Sequence, residues 1–146
     1  PGVPATTAGA PPTKTPGTGS GLTLLLVEDD AVVRPALARM LRKLGYAVIE
    51  ADGPAAALAL SDEELLGVDV LISDFAMPAM SGRRLAEALS GRRPGLPVVL
   101  ISGFPPESVA PDGPGTLILQ KPFGPDEIDA AIHAALGREG GRAPRP

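Results

Sequence analysis

Short runs of apolar residues alternate along this chain with longer stretches in which apolar positions recur every three or four residues. Leu22-Thr23-Leu24-Leu25-Leu26-Val27 is the first run, and a strand apolar at successive positions suits burial on both faces of a parallel sheet. Val33, Leu37, Met40, Leu41 and Leu44 then share one helical face, with Arg34, Arg39, Arg42 and Lys43 elsewhere and Gly45 as the stop. Pro35 should shift the start of this helix or bend it. Tyr46–Ile49 reads as a second strand. Asp52-Gly53-Pro54 opens an alanine- and leucine-rich helix to about Leu66, with proline near its first position. Val68–Ser73 is a third strand ending at Asp74, Gly82–Ser90 a helix, and Pro97–Ile101 a fourth strand ending at Ser102. Leu117–Leu119 is a fifth strand, followed by Gln120-Lys121-Pro122-Phe123. A last helix runs from Pro125 to Leu136 with Ile128, Ile132, Ala135 and Leu136 inward.

This alternation predicts a doubly wound α/β domain over residues 22–137: a parallel sheet with helices on both faces. Residues 1–21 are rich in Pro, Gly and Thr and hold almost nothing to bury, so a disordered linker is expected, and residues 138–146 read as a disordered tail. Between Ser102 and the fifth strand, prolines and glycines interrupt FPPESVAPDGPG. The fourth helix of the alternation should therefore be short, displaced or missing.

Composition narrows the class. The 146 residues are 44% hydrophobic and 21% charged, enough for one domain with a sizeable core. Without Trp and with a single Tyr, that core must be aliphatic. A net charge of −4 and the lack of a basic block argue against a nucleic-acid partner. The absence of cysteine excludes disulfides and thiolate metal sites. No apolar run approaches the roughly 18 residues of a membrane helix, and no signal-peptide pattern opens the chain, so no membrane contact is expected of this segment.

In open α/β sheets, ligands sit beyond the carboxyl ends of the strands. There the first strand delivers Glu28, Asp29 and Asp30, the third Asp74, the fourth Ser102 and the fifth Lys121. Clustered carboxylates suit a hard cation, Mg²⁺ above all, which accepts few protein ligands and keeps waters and phosphate oxygens. Lysine supplies a point charge for a phosphoryl group, serine a hydroxyl, and aspartate can be a nucleophile that forms an acyl phosphate. Asp30 reads as the N-cap of the first helix. Taken singly, the acidic pair could be a cap, Asp74 a turn residue and Lys121 a solvated lysine; their joint placement at strand ends points to a site. His133, the only histidine, reads as a surface or edge residue, and Met77 and Met80 as loop packing.

The segments LLLVEDD, ISDFAMPAMSG, VVLISG and LQKPF, in that order, resemble the receiver domain of two-component response regulators, from about Leu22 to Leu136. The resemblance implies a flavodoxin-like five-stranded parallel sheet of order 2-1-3-4-5. It implies that Asp74 is the phosphoacceptor, that Asp29 binds Mg²⁺ directly and Glu28 supports it through water. Asp74 and the backbone carbonyl of Ala76 would complete the protein ligands, with Ser102 and Lys121 on the phosphoryl oxygens. Pro122 looks like the family's cis-proline. The implied function is to take a phosphoryl group from a histidine kinase or phosphotransfer domain in the cytoplasm and switch a protein-interaction surface. Such a domain is a signalling phosphoacceptor that catalyses its own phosphorylation, not a turnover enzyme. The Pro/Thr-rich segment, the start without Met, and the wording SGFPPE and LQKPF look more like the terminal receiver of a hybrid histidine kinase than a stand-alone regulator. Only a short polar segment follows the last helix, so no DNA-binding domain is expected there.

Two departures from the family stand out. The Tyr or Phe usual three residues before the lysine is Ile118, which puts the usual output face in doubt. Ala76 and Phe104 offer no side chain to orient an attacking water, which predicts slow self-dephosphorylation. Two other functions stay open. A pseudo-receiver, an interaction module without phosphorylation, is favoured by Ile118 and the broken helix and opposed by the complete set of acids and Lys121. A hydrolase of the haloacid-dehalogenase type needs a second Asp two residues after its nucleophile, and Ala76 stands there.

Overall fold

Five aliphatic runs, joined by crossovers, pair in parallel, and the three central ones are buried while the two edge runs stay partly exposed. A computed structural model describes residues 21–103 and 116–137. In chain order the elements are β1 (Thr23–Val27), α1 (Val33–Lys43), β2 (Ala47–Ala51), α2 (Pro54–Leu58), α3 (Asp62–Leu66), β3 (Val70–Asp74), α4 (Gly82–Arg92), β4 (Val98–Ser102), β5 (Thr116–Gln120) and α5 (Pro125–Gly137). The sheet order is β2-β1-β3-β4-β5 and every pairing is parallel. This is the doubly wound architecture expected from the alternation, with the strand order expected from the resemblance.

Alternate residues of each strand point to opposite faces, and the interior divides accordingly. Leu24, Leu26, Val70, Ile72, Val99 and Ile101 pack under α1 and α5. Leu25, Val27, Leu71, Val98 and Leu100 pack under α2, α3 and α4. Leu24, Leu25 and Leu71 are fully buried, and each such side chain contributes roughly 1.5–3 kcal/mol.

Asp30, expected as the N-cap of the first helix, closes the turn that leads into α1, and the cap position itself is Val32. The Asp30 carboxylate accepts from the N–H groups of Val32 and Val33 at 2.8 and 3.0 Å, and its carbonyl accepts from Arg34 at 2.9 Å. Pro35 has no N–H to offer the Ala31 carbonyl, the next acceptor after Asp30, and the regular helix begins only at Val33, the shifted start expected of this proline. Gly45 ends the helix at φ 101°, a conformation open to glycine.

The single helix expected from Pro54 to about Leu66 is instead two, α2 and α3. Ser61 starts the second with a capping box: its hydroxyl accepts from Glu64 N–H at 3.0 Å, and Glu64 Oε1 accepts from Ser61 N–H at 2.8 Å. Carbonyls released at the break are taken by Arg92 of α4, whose guanidinium donates to Leu58 O at 3.1 Å and Leu60 O at 2.6 Å. Among the described residues, no helix is long and apolar enough to cross a membrane. Residues 1–20 of the linker expected over 1–21, the tail 138–146, the interrupted fourth-helix segment and Phe104 lie outside the described residues.

Candidate functional site at the carboxyl edge of the sheet

Strand register assembles the site. Val27 of β1 lies opposite Ser73 of β3, so the next residues along, Glu28 and Asp74, emerge side by side. Asp74 pairs with Ile101 of β4, and Ser102 pairs with Gln120 of β5, which brings Ser102 and Lys121 to the same edge. Backbone bonds hold these ends together: Glu28 N–H to Ala51 O at 3.1 Å, Phe75 N–H to Ile101 O at 2.7 Å, and Lys121 N–H to Ser102 O at 2.8 Å.

Glu28, Asp29 and Asp74 converge, one carboxylate oxygen of each lying within 4.8 Å of the others. Glu28 is buried and Asp29 exposed, while the Asp74 side chain retains 13% exposure. Lys121 Nζ stands 3.3 Å from Asp74 Oδ1. Burial pushes the Asp74 carboxyl above the usual carboxylate range, opposed by Lys121 and reinforced by Asp29. Burial also pushes Glu28 up, and the neighbouring Asp74 adds to that shift. Asp30 shifts downward, chiefly through the two N–H groups it caps. It belongs to the helix start, not to the acidic cluster.

The donor set fits a hard divalent cation. Three carboxylates offer oxygens within one ion's reach, with no sulfur or imidazole among them. Of the other expected site residues, Ser102 is buried at the end of β4, and Ala76 lies exposed two residues beyond Asp74. His133 is exposed on α5 and turned to Asp129, and Met77 is buried in the core beneath α4. The Lys121–Pro122 peptide bond is cis. Ile118 is half-buried against the α2–α4 side of the core. A groove of about 460 Å³ between α1 and the start of α5, lined by Ala36, Arg39, Met40, Lys43, Leu44 and Pro125, contains no carboxylate.

Three residues at the site's margin escape a reading of the sequence. A Cβ on Gly82 would lie 2.3 Å from the Asp74 carbonyl oxygen, so α4 can begin this close only with glycine. Ser73 Oγ donates to that same carbonyl at 3.0 Å. Arg34 Nη1 donates to the Glu28 carbonyl at 3.0 Å. Gly82 and Ser73 stand in the quoted motif but read only as a helix start and a strand residue; nothing in the sequence links Arg34 to residue 28.

The family model for the response regulator receiver domain matches residues 24–133. The chain belongs to this family. The sensor kinase CckA of Brucella abortus (strain 2308) is 32% identical to this receiver domain over 120 residues, which are 80% of the chain and 13% of CckA. The response regulator receiver protein CpdR of the same strain is 35% identical over 103 residues, 68% of this chain and 84% of CpdR. A crystal structure of the receiver domain from hybrid histidine kinase CckA matches with a TM-score of 0.66 at 33% identity, covering 78% of this chain and 98% of that one. The chain spans only a small part of the sensor kinase, so the kinase's activity as a whole is not carried over with the receiver fold.

Proposed function

We propose that this receiver domain accepts a phosphoryl group onto Asp74 from a phosphohistidine of a histidine kinase or phosphotransfer domain. The observation that carries this reading is the ion pair of Lys121 with Asp74, which itself converges with Glu28 and Asp29, assembled from the ends of β1, β3 and β5. An Asp74 oxygen attacks phosphorus, the P–N bond breaks as the P–O bond forms, and the imidazole leaves with the bonding pair and takes up a proton. Burial makes the Asp74 carboxylate more basic and so a better nucleophile. Lys121, already beside it, can move its ammonium onto a phosphoryl oxygen, and the Ser102 hydroxyl can donate to another. Glu28, Asp29, Asp74 and the Ala76 carbonyl would hold Mg²⁺, which supplies positive charge to the transferring oxygens. The phosphoryl group then biases a protein-interaction surface. This reading puts the domain in the cytoplasm, where a phosphohistidine donor would be made, and the likeness to CckA favours the receiver of a hybrid kinase over a stand-alone regulator.

The test is incubation with Mg²⁺ and acetyl phosphate followed by intact-mass measurement. A single phosphoryl adduct is expected, and Asp74→Asn should abolish it. No adduct from acetyl phosphate or from a phosphorylated donor domain would leave the pseudo-receiver reading, and steady turnover of unrelated phosphate esters the hydrolase reading.

A further inference from the structure

Three carboxylates within reach of one ion repel one another, so the backbone that carries them must be held in place by a group that does not occupy the ligand oxygens. Lys121 is not that group, because it pairs with Asp74 through the carboxylate itself. Arg34 meets the requirement. Its side chain is 21% exposed, and Nη1 donates to the main-chain carbonyl of Glu28 at 3.0 Å. Its own backbone N–H donates to Asp30 O at 2.9 Å. One residue therefore grips the turn of residues 28–30 at both ends, with Asp29 between them.

The guanidinium is itself aimed. Arg34 Nε lies 3.8 Å from Glu50 Oε1 on β2, and the other Glu50 oxygen lies 3.1 Å from Arg42 Nη1. A planar guanidinium can serve a carbonyl on one side and a carboxylate on another, which an ammonium does less well. The N–H of Asp30 completes the turn by donating to Glu28 Oε2 at 3.1 Å.

We infer that Arg34 is a positioning residue for the divalent-cation site: it fixes the backbone of Glu28 and Asp29 and sets the cation affinity from behind, without touching the ion. The inference rests on the metal-dependent phosphoacceptor reading above. A partner behind a metal ligand typically changes affinity by about 10- to 100-fold when removed, and a main-chain contact belongs at the lower end.

The test is calorimetric titration of the full chain with MgCl₂ at neutral pH and low salt, with thermal unfolding in EDTA alongside. Arg34→Met should weaken Mg²⁺ binding about tenfold, and Arg34→Lys should recover part of the loss. Arg42→Met removes the other arginine on Glu50 without touching Glu28, and should leave Kd within about twofold while still lowering Tm. A merely structural role for Arg34 would lower Tm and leave Kd alone. If Arg34→Met fails to fold, Glu50→Gln, which removes the ion pair that aims the guanidinium, should weaken binding by a smaller factor in the same direction. Wild-type Kd in Arg34→Met, or in both Arg34→Lys and Glu50→Gln, overturns the inference while loss of binding in Asp29→Ala keeps the metal reading. If the wild-type chain takes up no Mg²⁺, both fall together.

Discussion

Gly82 is set by distance, not by a need for unusual backbone angles. Its missing side chain lets the first turn of α4 lie against the carbonyl of Asp74, where a methyl group would stand 2.3 Å from the oxygen. Gly82→Ala must push α4 away from β3, and overpacking of this kind costs about 1–3 kcal/mol. Urea denaturation should show that loss, together with slower phosphorylation because the displaced carbonyl belongs to the proposed phosphoacceptor. At this scale the sequence is an uneven guide. The placement of Glu28, Asp29, Asp74, Ser102 and Lys121 at one edge of the sheet was legible because strand ends announce themselves and the strand-end rule gathers them. Gly82, Ser73 and Arg34 were not, because each acts on a main-chain oxygen whose position only the folded backbone defines.

The break between α2 and α3 belongs to the level of elements. Alanine and leucine periodicity continues from Pro54 to Leu66 without a breaker, so pattern alone predicts one helix. Local chemistry decides otherwise. Ser61 and Glu64 satisfy each other's backbone N–H groups, and Arg92 takes the carbonyls on the other side of the break. The serine-to-glutamate spacing was a readable start signal, whereas the part played by Arg92, some thirty residues away on α4, was not. Ser61→Ala should cost about 1 kcal/mol of stability, read from the urea midpoint at constant slope. A neutral result would mean that Arg92 alone holds the break. By contrast β1, α1, β3, α4 and α5 fell close to their expected limits, since each carries its own run or stripe of apolar residues.

For the whole molecule, alternation was enough to predict a doubly wound sheet, but the order 2-1-3-4-5 came only with the family resemblance. Apolar runs state that strands are buried and say little about which lie side by side. One long-range tie adds a pH dependence to the assembly. The buried Tyr46, beside the start of β2, donates its hydroxyl to the Asp129 carboxylate on α5. Burial first, and then Asp129, raise the Tyr46 phenol far above its ordinary value. The folded chain thus keeps this proton at a pH where the unfolded chain has lost it. Its contribution is complete below about pH 10, the ordinary phenol value, and is lost progressively as pH rises beyond it. Tyr46→Phe should cost about 0.5–1.5 kcal/mol at neutral pH and flatten the alkaline decline in urea-derived stability. An unchanged decline would assign it to other groups.

The division of the core between the two faces of the sheet has a consequence for how this domain tolerates change. Among the described residues, the clusters beneath α1 and α5 and beneath α2, α3 and α4 have no buried side chain in common, so the central strands act as a partition between two separately packed rooms. Energies of substitutions that share no partners tend to add. Leu85 and Leu89 on one side can therefore drift in company with Leu65 while Leu37, Leu41 and Ile132 on the other keep their shapes. The rooms must agree at the carboxyl edge, where backbone from both sides meets at Glu28 and Asp74. A lineage could thus remodel either helical face for a new partner while one set of strand ends, and the chemistry they carry, is inherited intact.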